Sequence, residues 1–233
     1  MYTLTRVSKT FRARGRAHGG TVTAVRDLDL SIADGEWLAI QGRTGSGKST
    51  LLQLLGGMDR PSTGTVNLDG QDLAAMSETQ LTEIRATRVG FVFQMFNLIP
   101  TLSAVENVEA ALVPLRTPAP QRRERAAAAL AAVGLADRAG HLPSELSGGQ
   151  QQRVGIARAL VKAPSVLLAD EPTGNIDVDT RDEILSLIEQ VWTTNQLTLV
   201  LVTHDSAVAA RAERVAVMHD GRLSIHPTDA QIG

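Results

Sequence analysis

The chain has 233 residues, 43% of them hydrophobic and 21% charged, and carries a formal net charge of −2. That is enough apolar material for one packed domain of ordinary to large size, and the charge balance gives no bulk electrostatic sign of a nucleic-acid partner. Cysteine is absent, which excludes disulfides, thiolate metal sites and a thiol nucleophile and is compatible with a reducing cytosol.

The first twenty residues, "MYTLTRVSKTFRARGRAHGG", lack the apolar centre of a secretory signal. No apolar run approaches the ~18 residues of a membrane span; the longest, "AAAALAAVGLA" from Ala126, is followed by Asp137 and Arg138. The chain is therefore expected to be soluble. Its cations are nearly all arginine, and the only lysines are Lys9, Lys48 and Lys162, so Lys48 stands out.

In chain order, "MYTLTRVSKTF" and "VTAVRDLDLSI" alternate with a period of about two and predict antiparallel strands, joined by the Gly/Arg-rich surface loop "RARGRAHGG". "EWLAIQG" predicts a strand, then a glycine loop, then the helix "STLLQLLGG" ending at Gly56-Gly57. From about Gln94 to Lys162 the pattern turns helical and alanine-rich, interrupted by the proline-marked "RTPAPQ". "SVLLAD" and "LTLVLVT" are near-continuous apolar runs, as in parallel strands buried on both faces, with the helical "EILSLIEQVW" between them. "RVAVMHDGRLSI" predicts a hairpin about its Asp-Gly pair, and no further domain is expected after it. The alternation points to an α/β fold with a mostly parallel central sheet, antiparallel β-structure at the ends and a helical insertion.

Four features carry chemistry. "GRTGSGKS", Gly42 to Ser49, fits G-x-x-x-x-G-K-[ST] between a strand and a helix. Its glycines turn backbone N–H groups toward phosphate oxygens, Lys48 reaches the β- and γ-phosphates, and the Ser49 hydroxyl ligates Mg²⁺. "SVLLADEP" puts Asp170 and Glu171 at the carboxyl end of an apolar strand, where open α/β sheets bind ligands. Asp170 is suited to the Mg²⁺ hydration shell and Glu171 to orienting or deprotonating a water. His204 follows a third strand and is expected at the same edge, against a γ-phosphate or the attacking water. Gln94 follows another short apolar run, where a neutral amide suits both Mg²⁺ and the water.

"ELSGGQQQRVGIARAL" is a different case. Ser147 with Gly148 and Gly149 opens a helix and is either a plain cap or a second anion site. It lies in the helical insertion, 105 residues after Gly42. Nothing local folds it back onto the first site, so it suits a nucleotide held by another copy.

In these residues the chain resembles the nucleotide-binding subunits of ATP-binding-cassette (ABC) transporters. The phosphate loop, the Q-loop Gln94, the signature "LSGGQ" at Leu146–Gln150, the strand-plus-acid "VLLADE", the D-loop "GNID" at Gly174–Asp177 and the switch His204 occur in that family's order. "LADEPTGNID" and "FVFQMFNLIPTLSAVENV" are similar to the group serving lipoprotein release, macrolide export, antimicrobial-peptide resistance and cell division. The resemblance implies a P-loop NTPase (RecA-like) core, with residues 1–233 as a single ATPase domain and a helical subdomain inserted over about 95–162. It implies ATP and Mg²⁺ as cofactors, with Gly42, Arg43, Thr44, Gly45, Ser46, Gly47, Lys48, Ser49 and Thr50 binding nucleotide and Ser49, Gln94 and Asp170 holding the metal. Lys48, Gln94, Glu171 and His204 are the implied catalytic set, and Phe11 the implied adenine-stacking aromatic, where tyrosine is commoner.

The resemblance also implies a head-to-tail pair in which Ser147, Gly148, Gly149 and Gln150 of one copy contact the ATP of the other, with Asp177 in the D-loop. The remaining partners are transmembrane permease subunits, at the cytoplasmic face of a membrane; no nucleic acid is expected. Substrate export or extraction and a purely mechanical switch on a membrane partner both stay open. Repair-type relatives need a long coiled coil between phosphate loop and signature, for which 105 residues leave no room.

Overall fold

The computed structural model describes residues 1–12 and 20–226. In chain order the elements are β1 Tyr2–Arg12, β2 Thr21–Ile32, β3 Trp37–Gln41, α1 Lys48–Leu55, β4 Thr63–Leu68, β5 Gln71–Asp72, α2 Glu78–Thr87 and β6 Val89–Val92. They continue with α3 Ala104–Glu109, α4 Ala119–Ala132, α5 Gly148–Leu160, β7 Val166–Asp170, α6 Val178–Asn195, β8 Thr198–Thr203, α7 Ser206–Ala209, β9 Arg214–His219 and β10 Arg222–His226. Short 3₁₀ turns at Ala110–Leu115, Ala136–Arg138 and Pro143–Glu145 break the helical stretch.

Two compact units divide the chain: Met1–Leu81 together with Val200 onward, and Thr82–Leu199. In the first, β2, β1, β4 and β5 form an antiparallel sheet in that order. β1 and β2 alternate buried and exposed residues over much of their length, burying Leu4, Val7, Val25, Leu28, Leu30 and Ile32, as a sheet with one face on a core requires. The Tyr2 hydroxyl donates to the Leu55 carbonyl at 2.9 Å, satisfying an orphan acceptor at the end of α1. β3 runs parallel to β9, and β9 returns as β10 through Asp220-Gly221, both with positive φ (49° and 79°). Two consecutive left-handed residues make the mirror-image turn whose twist matches a hairpin, so the expected hairpin is present.

In the second unit, β6 and β7 pair in parallel, from Val89 opposite Val166 to Val92 opposite Ala169. Val89, Phe91, Val92 and Val166–Ala169 are all buried, the two-sided burial of an α/β sheet. Helices α3, α4 and α5 pack on one another, burying Val105, Val108, Leu130, Val154 and Ile156. The alanine-rich run forms α4 as expected, but the proline-marked loop is shorter than expected: only Arg116–Pro118 stay outside a helix, and Ala119–Gln121 already form the first turn of α4, where proline is tolerated because its missing N–H has no helical partner to lose. Sequence reading left β4 and β5 unassigned. Their signal was a short Thr/Val/Leu alternation ending at Asp69-Gly70, a second pair with positive φ (49° and 79°). Nearly all of the Arg/Gly-rich loop, residues 13–19, lies outside the described residues.

Candidate nucleotide site

In the first unit, β3 ends at Gln41 and the chain turns through Gly42–Gly47 into α1. Two positions need glycine for space. A Cβ on Gly42 would lie 2.4 Å from the Met218 carbonyl oxygen, and one on Gly47, where φ is 107°, would lie 2.0 Å from that of Ala24. At these two positions the backbone is thus pressed against β9 and β2. Gly42 N–H donates to the Thr203 carbonyl at 3.1 Å, which ties the loop to the end of β8.

Lys48 is buried, and its ammonium donates to the carbonyls of Gly42 at 2.7 Å and Arg43 at 3.1 Å. The lysine therefore curls over the loop's concave side. The Ser46 hydroxyl is buried with no hydrogen-bond partner among the described residues, an unmet polar group that a phosphate oxygen would satisfy. Ser49 is exposed and Thr50 half-buried, both in the first turn of α1. An open cavity of about 600 Å³ lies against Gly42, Arg43 and Thr44, with His204, Met218 and His219 on its other walls. That size suits a small-molecule ligand. His204 and the loop, 162 residues apart in sequence, therefore share one cavity. A second cavity of about 650 Å³ borders Gly45 between the start of β2 and the β9–β10 turn. Phe11 is 41% exposed on β1, with the Lys9 ammonium 5.1 Å from its ring centroid, and is not among the residues lining either cavity.

In the second unit, Asp170 closes β7 and Glu171 follows it at φ 45°. Gly174 N–H donates to the Glu171 carbonyl at 3.0 Å, closing a four-residue turn with Pro172 in its second place. Gln94 lies two residues past the adjacent parallel strand β6, and its amide nitrogen is 2.9 Å from where a Cβ on Gly174 would lie. Gln94 and the turn after Glu171 are thus neighbours at the carboxyl edge of the sheet. Asn175 donates to the Gln94 carbonyl at 3.1 Å.

Past Gln94, Phe96 and Asn97 take left-handed backbone (φ 61° and 49°), and the Arg158 guanidinium on α5 donates to both carbonyls, at 2.7 Å to Phe96. Burial pulls the Arg158 pKa below its ordinary value. Asn175 and Arg158 escaped the sequence reading because each acts on a segment more than sixty residues away.

Ser147 caps α5. Its hydroxyl accepts from Gln150 N–H at 3.3 Å, and the Gln150 side chain accepts from Ser147 N–H at 2.9 Å, a reciprocal capping box. Ser147 is exposed. A Cβ on Gly148 would lie 3.6 Å from the Asn175 carbonyl oxygen, and one on Gly149 2.3 Å from Thr180 Cγ2. Asp177 in turn caps α6, accepting from Thr180 N–H at 3.0 Å. The signature residues and the D-loop segment therefore pack together.

The ABC transporter family profile matches residues 25–174, from β2 through the turn after Glu171. The chain belongs to the ABC transporter family. It is an ATP-binding cassette and an ATPase. It is 47% identical over 201 residues to a macrolide export ATP-binding/permease protein, MacB, of Rhodopseudomonas palustris, covering 86% of this chain but 30% of that protein. The chain thus spans about a third of the length of the macrolide-export relatives it matches. An ABC transporter ATP-binding protein of Bacillus subtilis, YvrO, is 43% identical over 223 residues, with 96% of this chain and 95% of that one covered. Among solved structures, a dimeric post-hydrolysis state of the ATP-binding cassette MJ0796 bound to ADP and Pi superposes with a TM-score of 0.88 at 39% identity, covering 98% of this chain and all of that one. The P-loop NTPase fold is therefore present as expected. No helix among the described residues is long and apolar enough to cross a membrane.

Proposed function

We propose that the cassette works as one of a pair of identical ATPase subunits on the cytoplasmic face of a membrane, closing around ATP to move transmembrane permease subunits. The observation that carries this reading is the phosphate loop: Gly42 and Gly47 with no room for a Cβ, a buried lysine and an unsatisfied serine hydroxyl, in a loop whose Gly42–Thr44 share a cavity with His204. Residues 1–233 act as one ATPase domain, with the helical stretch of about 95–162 as its inserted subdomain.

The loop Gly42–Gly47 and the first turn of α1, with Lys48, Ser49 and Thr50, bind the triphosphate. Ser49, Gln94 and Asp170 offer a hydroxyl, an amide and a carboxylate, the hard oxygen donors that suit Mg²⁺; bound there, the metal would neutralise phosphate charge. Glu171 orients and deprotonates the attacking water, and Lys48 stabilises charge on the transferred group. His204 holds the water or the γ-phosphate. Phe11 offers a face for adenine.

Ser147, Gly148, Gly149 and Gln150, with Asp177, complete the site of the second copy, so that each chain supplies half of two sites in an isologous pair. The dimeric MJ0796 structures support this arrangement. Met95 is 69% and Ile99 46% exposed next to Gln94, an apolar surface suited to a helix of the permease. The macrolide-export relatives, in which cassette and permease share one chain by name, favour export as the outcome.

Glu171→Gln should lower ATP hydrolysis by two or more orders of magnitude while leaving ATP binding intact. Steady-state phosphate release measures this, and normal turnover would remove Glu171 from its role.

A further inference from the structure

Helix α5 carries a polar group that none of these roles uses. Gln152 is fully buried, and its amide nitrogen donates to the Pro172 carbonyl at 2.7 Å. Only the nitrogen end of the amide fits there, since a carbonyl accepts and never donates. The other end, Oε1, is buried with no hydrogen-bond partner among the described residues. An amide half-satisfied in the interior is a standing cost, and packing does not explain it, because methionine or leucine would fill the space without that cost.

The acceptor explains the choice. Pro172 follows Glu171, whose left-handed backbone (φ 45°) is unusual for a non-glycine residue and persists only where neighbours hold it. The Gly174 N–H bond to the Glu171 carbonyl fixes one peptide of the turn. Gln152 fixes the next, and its own position is set by a 13-residue helix whose cap is Ser147.

We propose that Gln152 is a positioning residue for Glu171. It locks the Pro172 carbonyl, and with it the direction of the Glu171 side chain, to the helix that begins at the signature. A shift of α5 when Ser147 meets a nucleotide is then carried by one rigid element to the turn that holds the base. The proposal rests on the reading of Glu171 as the group that activates water.

Two substitutions test it in the full chain. Gln152→Met keeps the volume and removes the donor. Gln152→Glu keeps the shape and donates to Pro172 only while its carboxyl is protonated. Hydrolysis is followed against ATP concentration and pH, with equilibrium ATP binding and thermal unfolding alongside. Gln152→Met should lower kcat roughly tenfold or more with ATP affinity within about twofold of the unmodified chain, a split between kcat and binding that general loosening of the fold would not produce.

Gln152→Glu should recover kcat, relative to the unmodified chain, as pH falls. In a Glu171→Gln background, where residual hydrolysis is followed over hours, adding Gln152→Met should cause no further loss, because the two residues act as one unit. An unchanged kcat in folded Gln152→Met, or a further tenfold loss on top of Glu171→Gln, overturns the proposal. If Gln152→Met does not fold, Gln152→Glu decides: a kcat ratio flat with pH overturns it. Normal hydrolysis by Glu171→Gln alone removes the reading of Glu171 instead, and is measured with Gln152 untouched.

Discussion

Gly47 shows how little freedom the phosphate loop has. Its φ of 107° is a conformation that side chains resist, and the space where a Cβ would stand is occupied by the Ala24 carbonyl. Gly47→Ala must move β2 or the loop. We expect at least a tenfold loss of ATP affinity, measured by equilibrium binding, and a fall in unfolding free energy of about 1–3 kcal/mol. The need for glycine here was legible in the sequence because it is local: the G-x-x-x-x-G-K-S spacing specifies backbone that must turn and approach phosphate within eight residues. Gln152 and Arg158 were not legible. Each is an ordinary polar residue of a helix, and what it does depends on which distant carbonyl the fold brings to it.

At the scale of elements, local chemistry read well wherever it was self-contained. The cap of α5 was legible in Ser147 standing before Gly148 and Gly149, and the structure adds the reciprocal bond from Gln150. β3, β7 and β8 were plain from their apolar runs. β4 and β5 were missed because β4, TGTVNL, carries only two large apolar residues where β3 and β7 are nearly all apolar, and β5 is two residues long.

Lys162 belongs to this scale, since its ammonium donates to the Arg85 carbonyl in the last turn of α2, where cations satisfy orphan acceptors. Burial foremost, and the nearby Arg158 charge, lower its pKa from 10.5 to about 8. The unfolded chain therefore binds more protons than the folded one between about pH 8 and 10.5, and stability contributed at this site rises with pH through that window. Lys162→Met should remove that rise. Unfolding free energies of the two proteins compared from pH 7.5 to 10 check it; the difference is at most about 3 kcal/mol, reduced by the side chain's residual exposure.

For the whole molecule, the proposed distribution of roles makes the chain half of a machine. Ser147 is exposed at the head of α5 while satisfying its own helix, so it has a structural occupation in the single chain and an open face for a partner. Ser147→Arg places bulk and charge on that face. ATP hydrolysis should fall at least a hundredfold while the isolated chain binds ATP with unchanged affinity. Loss of binding by the single chain would instead put Ser147 in that chain's own site.

The order of motifs and the period of the apolar runs were enough to establish the family and the α/β class and to nominate the catalytic residues, because phosphate cradles, caps and buried strands are specified by neighbours in sequence. Only the tertiary structure brought His204 into the cavity of the phosphate loop, set Gln94 against Gly174, and tied α5 to Pro172 through Gln152. Those contacts join residues 20 to 162 positions apart. Within each unit they are made by strands and helices packed side by side, and no local periodicity encodes which residues those elements bring face to face.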